Sequence, residues 1–176
     1  MAELYTHPLS LVVDPAETRS TTRGSPTRHT RRVLFPHEEY WVVHDHVGGD
    51  RDHRFEARWH LREHSNGRVR VVRNSRHTTV VTPAGRIVVP ASVEVEIDRG
   101  AQTRSDVATS QGPTIVLRPI GEVVDIVTVL SPGHAAVTMV DQTFDGLLHC
   151  SILRGSTTDL IRWAADTEIS WERWSA

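Results

Sequence analysis

From Arg32 onward, apolar and polar residues change places in short runs with a period of two. Phe55, Ala57, Trp59 and Leu61 alternate with Glu56, Arg58 and His60. That period marks a strand with one face buried. Tyr40 to Val47 alternates in the same way and runs into Gly48-Gly49-Asp50, a turn signal. Val33-Leu34-Phe35 is a short apolar strand before it. Further strands are expected over 68–73, 77–82, 86–89, 93–97, 114–117, 123–130, 135–140 and 147–153. These runs are rich in Val, Ile and Thr, which suit a pleated surface. Asn66-Gly67, Pro83-Ala84-Gly85 and Ser131-Pro132-Gly133 punctuate them. In the tail, 159–165 reads as a helical turn, while Ile169, Trp171 and Arg173 alternate as a final strand. About a dozen short strands without a long amphipathic helix predict an all-β, antiparallel β-sandwich over residues 31–176. Residues 1–30 lack periodicity, and 18–30 is rich in Thr, Ser and Arg with Gly24 and Pro26, so this part reads as an irregular segment or linker.

The two long alternating runs suggest a hairpin. Placing Val47 opposite His53 sets Trp41 against Trp59, Val43 against Ala57 and Asp45 against Phe55 on an apolar face. The other face then pairs Tyr40 with His60, Val42 with Arg58, His44 with Glu56 and His46 with Arg54. A slip of one residue would mix the faces. Asp45 is a carboxylate on the apolar side. A buried charge needs a partner, and Arg31 or Arg32 on the preceding strand is the natural one.

Composition bounds what such a fold can do. The chain has 176 residues, enough for one core, and 38% are hydrophobic. No run approaches the roughly 20 apolar residues of a membrane helix. No signal peptide is evident near Met1, so the chain as it stands reads as cytoplasmic, or as secreted or periplasmic if it is part of a longer protein. Cys150 is the single cysteine, which excludes an intrachain disulfide. All 20 basic residues are arginine. Thirteen of them fall between Arg19 and Arg76 against 7 Asp and Glu, whereas the rest of the chain is acidic. Arginine forks match carboxylate and sulfate groups, and a basic half steers anions. An arginine-favouring composition with a merely solvated basic face explains the same counts. Phosphate loops, nucleophile elbows and nucleic-acid motifs are missing, so no nucleic-acid partner is expected.

The segment Arg31 to Leu61, RRVLFPHEEYWVVHDHVGGDRDHRFEARWHL, resembles the heparinase II/III-like family in its β-rich C-terminal region. Arg-Val-Leu-Phe, an aromatic, Val-Val-x-Asp, Gly-Gly, an acidic loop and Phe-x-x-x-Trp-His-Leu carry the likeness. Weaker matches, ending at Thr128-Val-Leu-Ser-Pro132, extend it over roughly residues 28–135. The resemblance implies a part of a polysaccharide lyase that β-eliminates uronate-containing acidic glycans. In full-length members an α-helical toroid supplies catalytic Tyr and His residues, and a His-rich segment holds a divalent metal such as zinc. This chain has no room for the toroid and only Tyr5 and Tyr40 as tyrosines. The expected role is accessory or glycan-binding, without catalysis by the chain alone. An acidic polysaccharide and a helical toroid domain or subunit are the expected partners. Both the family reading and the glycan wall are taken to lean on Trp41 stacking against Trp59.

Within that picture Tyr40, His44, His46, Arg54, Glu56, Arg58 and His60 form a sugar- or anion-contacting face. The alternative is a solvated or interdomain face of cross-strand pairs such as His44–Glu56. His44-x-His46 with Glu56 and His60 also permits a cupin-like metal site. His29 is the residue that the family's metal site points to, and Asp45, Arg31, Trp41 and Trp59 are assigned structural roles. Trp163, Trp171 and Trp174 suit either sugar stacking or packing under a final hairpin. A stand-alone carbohydrate-binding or structural module remains a further reading.

Overall fold

A computed structural model describes residues 11–12, 28–36, 39–48, 55–61, 68–98, 102–103, 109–110, 112–119, 125–133, 136–144, 147–163 and 169–175. Among them every extended element is a strand. The first eight are β1 (Leu11–Val12), β2 (Arg28–Leu34), β3 (Trp41–Gly48), β4 (Ala57–His60), β5 (Arg70–Arg73), β6 (His77–Thr82), β7 (Gly85–Pro90) and β8 (Val93–Asp98). There follow β9 (Gln102–Thr103), β10 (Thr109–Ser110), β11 (Thr114–Pro119), β12 (Asp125–Pro132), β13 (Val137–Phe144), β14 (Leu147–Arg154), β15 (Thr157–Trp163) and β16 (Ile169–Ser175).

All pairings are antiparallel. A seven-stranded sheet runs β1-β2-β3-β12-β7-β6-β5, a three-stranded sheet β4-β11-β8 and a four-stranded sheet β13-β14-β15-β16, with β10-β9 a short ribbon. The seven-stranded sheet is the middle of three layers, and alternation along its strands divides its side chains between two cores. Val42, Val88, Val127 and Val129 face the four-stranded sheet and pack on Met139, Cys150, Ile152, Ile161 and Trp163. Val80, Ile87, Val89 and Ile126 face the three-stranded sheet and pack on Ala57, Val93, Val95, Ile115 and Leu117. The result is an all-β antiparallel sandwich, as the alternation predicts, with a third layer.

The hairpin geometry is different from that expected. β3 pairs with β2 and β12, and β4 pairs with β11, so the strands of Trp41 and Trp59 belong to different sheets. Alternation identifies a strand but not its neighbour, and here the chain changes sheet after β3. Because β3 lies inside the middle layer, both its faces are covered from Val42 to Asp45, while Trp41 and His46 are exposed. Val42 and Val43, His44 and Asp45 are all buried, so the polar face assigned to Tyr40–Val47 does not exist as an open surface. Trp41 stacks on Phe35 instead of Trp59, with ring centroids 4.6 Å apart and planes at 8°.

Two smaller differences concern boundaries. β1 and the start of β2 fall inside the stretch read as irregular, where Leu11 pairs with Val33 and Val12 with Arg32. Residues 159–163 are strand and not a helical turn, because β15 is sandwiched between β14 and β16. The β6–β7 turn is built by Thr82, whose hydroxyl accepts from the Ala84 and Gly85 amides at 3.2 Å each. Gly85 has φ +152°, and a Cβ there would lie 2.2 Å from the Ser131 carbonyl oxygen of β12. Glycine is therefore required where the two strands meet.

Candidate glycan-facing site

The strand register places the polar residues in four separate groups. The first is built on the hairpin β2–β3, where Arg31 stands opposite Asp45. Asp45 is fully buried. Its Oδ1 accepts from Arg31 Nε at 2.6 Å and its Oδ2 from Arg31 Nη2 at 2.9 Å. His29 Nε2 lies 2.8 Å from Oδ1 on the other side. Of the two arginines considered for Asp45, Arg31 is the one that reaches it. This side-on pairing satisfies a charge that would be costly alone. The outer sheet then closes on the group: the Arg31 guanidinium lies 5.4 Å from the Trp59 ring, and the His29 ring 5.5 Å from Phe55.

The second group faces the four-stranded sheet. Asp125 is the register partner of His46, and its Oδ1 meets His44 Nε2 at 2.7 Å and His46 Nδ1 at 2.9 Å. Burial alone would raise the Asp125 pKa, but the hydrogen bonds from His44 and His46 outweigh it and hold the carboxyl below its usual value. His44 is covered by Trp163, ring centroids 5.3 Å apart, while His46 reaches the surface.

A third group joins these same two layers at the other end of β3. Tyr40 is fully buried and its hydroxyl donates to Asp159. Arg173, across from Asp159 on β16, donates to both its oxygens at 2.6 and 2.8 Å, and also to Glu39 at 3.0 Å. Arg154 adds a 2.7 Å contact to Glu39. Burial, followed by the bond to Asp159, pushes the Tyr40 phenol far above the ordinary range. Tyr40 is thus a proton-holding strut between layers and not a sugar contact.

The fourth group covers the outer face of the three-stranded sheet. Glu56 accepts from Arg118 at 2.7 Å and from Arg58 at 2.8 Å, and Arg118 also pairs with Glu96. His60 Nδ1 lies 3.0 Å from the Thr114 hydroxyl. Hydrogen bonds from Arg118 and then Arg58 hold Glu56 below the usual carboxylate range. This is a solvated ladder of alternating charge.

The seven residues expected on one polar face are therefore not brought together. Tyr40, His44 and His46 lie on the middle sheet, Glu56, Arg58 and His60 on the far side of another sheet, and Arg54 lies outside the described residues. The cross-strand pair His44–Glu56 is replaced by His44–Asp125. A cupin-like cluster of His44, His46, Glu56 and His60 is ruled out by the same separation. Among the described residues no three His, Cys, Asp or Glu side chains converge as a metal site needs. His29 does not fit a zinc ligand set either: its partner Asp45 has both oxygens engaged by a guanidinium, which excludes a dication from the same spot. Trp163 is core, Trp171 packs against it, and Trp174 is exposed.

Pattern reading missed Asp125, Asp159, Arg173 and Phe35. Asp125 stands beside the apolar pair Ile126 and Val127, the same signal that singled out Asp45, whereas Asp159 lies in a strand of mixed polarity that gives no such signal. Phe35 ends a short apolar strand, yet it is 37% exposed.

A sequence profile described as heparinase II/III-like, C-terminal, matches residues 12–148. Among solved structures, the crystal structure of heparan sulfate lyase HepC from Pedobacter heparinus is similar, with a TM-score of 0.58 and 16% identity. The match covers 81% of this chain and 24% of that one, so this chain spans about a quarter of that lyase's length. At such identity the likeness is one of fold. No curated protein sequence matches significantly.

Proposed function

This chain belongs to the heparinase II/III-like C-terminal family, and from that premise we propose that it serves a polysaccharide lyase as an accessory β-layer that binds acidic glycan without performing elimination itself. The observation that carries the reading is the state of Tyr40, the one tyrosine among the described residues. Uronate elimination requires a group that takes the proton next to the carboxylate and a group that protonates the leaving oxygen. Tyr40 is sealed between layers, its hydroxyl keeping its proton and donating a hydrogen bond to Asp159. Among the described residues, Asp45, Asp125 and Glu56 are bound into ion pairs on the middle and outer sheets, and His60 is hydrogen-bonded to Thr114. Such a scaffold favours recognition over proton transfer, and catalysis falls to a helical toroid supplied as a domain or subunit.

The test uses the purified 176-residue chain and three polymers: a sulfated uronate glycan of the heparan type, an unsulfated uronate glycan and a neutral glucan. Calorimetry should show saturable binding to one or both acidic polymers and none to the glucan. Absorbance of the unsaturated uronide product should stay flat. Failure to bind either acidic polymer would overturn the binding role, and growth of that absorbance would overturn the non-catalytic one.

A further inference from the structure

Resting on that reading, we propose where the glycan lies: along the accessible row of side chains on β2, with Arg31 taking a carboxylate or sulfate and the Phe35–Trp41 stack taking a sugar ring. Alternation puts His29, Arg31, Val33 and Phe35 on a single face, all at least partly exposed, and Trp41, Val43 and Asp45 share it from β3, where Val43 and Asp45 are buried. The contacts of Arg31 with Asp45 and of Phe35 with Trp41 fix this assignment independently.

The two ends of the row differ in chemistry. At one, the side-chain exposures of His29 and Arg31 are 34% and 38%. Arg31 spends its Nε and Nη2 on Asp45, which turns the Nη1 edge of the fork away from the carboxylate. Buried Asp45 and the Trp59 ring hold that fork in place, so little side-chain freedom remains to be lost on binding. At the other end, Phe35 is 37% and Trp41 38% exposed. Their planes are nearly parallel, so each ring holds the other rigid and an outward ring face is left for the C–H face of a pyranose. Phe35 stands four positions beyond Arg31, roughly 13 Å at about 3.3 Å per residue. That is a span of a few sugar rings, with a fixed cation at one end and an aromatic shelf at the other.

Trp174 is also 38% exposed, but it stands on the outer face of the four-stranded sheet, away from Arg31 and Phe35. Trp174 therefore makes a matched control.

Binding of the acidic polymers is measured for the wild type and for Trp41→Ala, Phe35→Ala, Arg31→Lys and Trp174→Ala, with thermal melting to confirm folding. Trp41→Ala and Phe35→Ala should each weaken binding about tenfold, the scale of one aromatic contact. Arg31→Lys, which keeps charge but loses the fork, should weaken it by at least as much. Trp174→Ala should leave affinity unchanged. If the wild type binds and the Trp41 and Phe35 variants bind equally well, the location is wrong while the accessory role stands. If the wild type binds no acidic glycan, both fall. Loss of a self-dimer in Trp41→Ala at unchanged glycan affinity would reassign the aromatic pair to self-association and overturn the proposal.

Discussion

Arg31 and Asp45 face each other across β2 and β3, with the guanidinium meeting the carboxylate side-on at 2.6 and 2.9 Å. Asp45 is inaccessible to solvent whereas Arg31 is partly exposed. The two partners are consequently unequal. Arg31→Ala strands a charge inside the protein and should cost roughly 3 kcal/mol in urea unfolding, the lower end for a broken buried pair because His29 still donates. Asp45→Ala frees a surface arginine and should cost less. The double variant should cost less than the sum of the two.

Asp125 gives a pH prediction. His44 and His46 hold its folded pKa below the unfolded value of about 3.8. A depressed carboxyl contributes stability that is complete above the unfolded pKa and is lost as pH falls through the folded one. The stability gap between wild type and Asp125→Asn should therefore be full near neutrality and close progressively below about pH 4. A gap that persisted at the acid end would show that the carboxylate is not its source.

Tyr40 predicts the opposite sign. Its phenol is raised far above the unfolded value of 10.0, first by burial and then by Asp159. The stability it provides is present below that value and lost as pH climbs past it. Alkaline denaturation should begin near pH 10 and should be less steep in Tyr40→Phe. At neutral pH that variant should lose about 1 kcal/mol, one hydrogen bond, and its glycan affinity should not change.

The strand pattern made the all-β fold and the family legible, but not the way strands pair. The Val-Val-x-Asp run predicts a strand with a buried carboxylate, and Arg31 nearby predicts its partner, because an unpaired buried charge is intolerable in any arrangement. By contrast, nothing in Trp41 to Val47 says that the strand sits in a middle layer, where polar His44 is buried as deeply as Val43. The Trp41–Trp59 stack was inferred from a hairpin that does not form. The family reading outlives it because the signature lies in the order of residues along Arg31 to Leu61, whichever sheets they join. Phe35 and Trp41 meet through a pairing that only the β2–β3 register reveals.

Gly85 supplies a packing prediction. A methyl group there meets the Ser131 oxygen at 2.2 Å and the Pro132 Cα at 2.9 Å, both backbone atoms that cannot rotate away. Gly85→Ala should destabilise the protein by roughly 2 to 4 kcal/mol. Gly133→Ala meets nothing within 4 Å, although its φ of +71° disfavours a side chain, and should cost about 1 kcal/mol. Parallel thermal melts of the two variants check the order.

The most direct test of the glycan-binding account is to follow the indole N–H signals of the five tryptophans while a sulfated uronate oligosaccharide is titrated into nitrogen-15-labelled protein. The Trp41 signal should move saturably, with a smaller shift at Trp59 under Arg31, while Trp163, Trp171 and Trp174 stay in place. Movement of Trp174 with Trp41 stationary, or no movement at all, would contradict it.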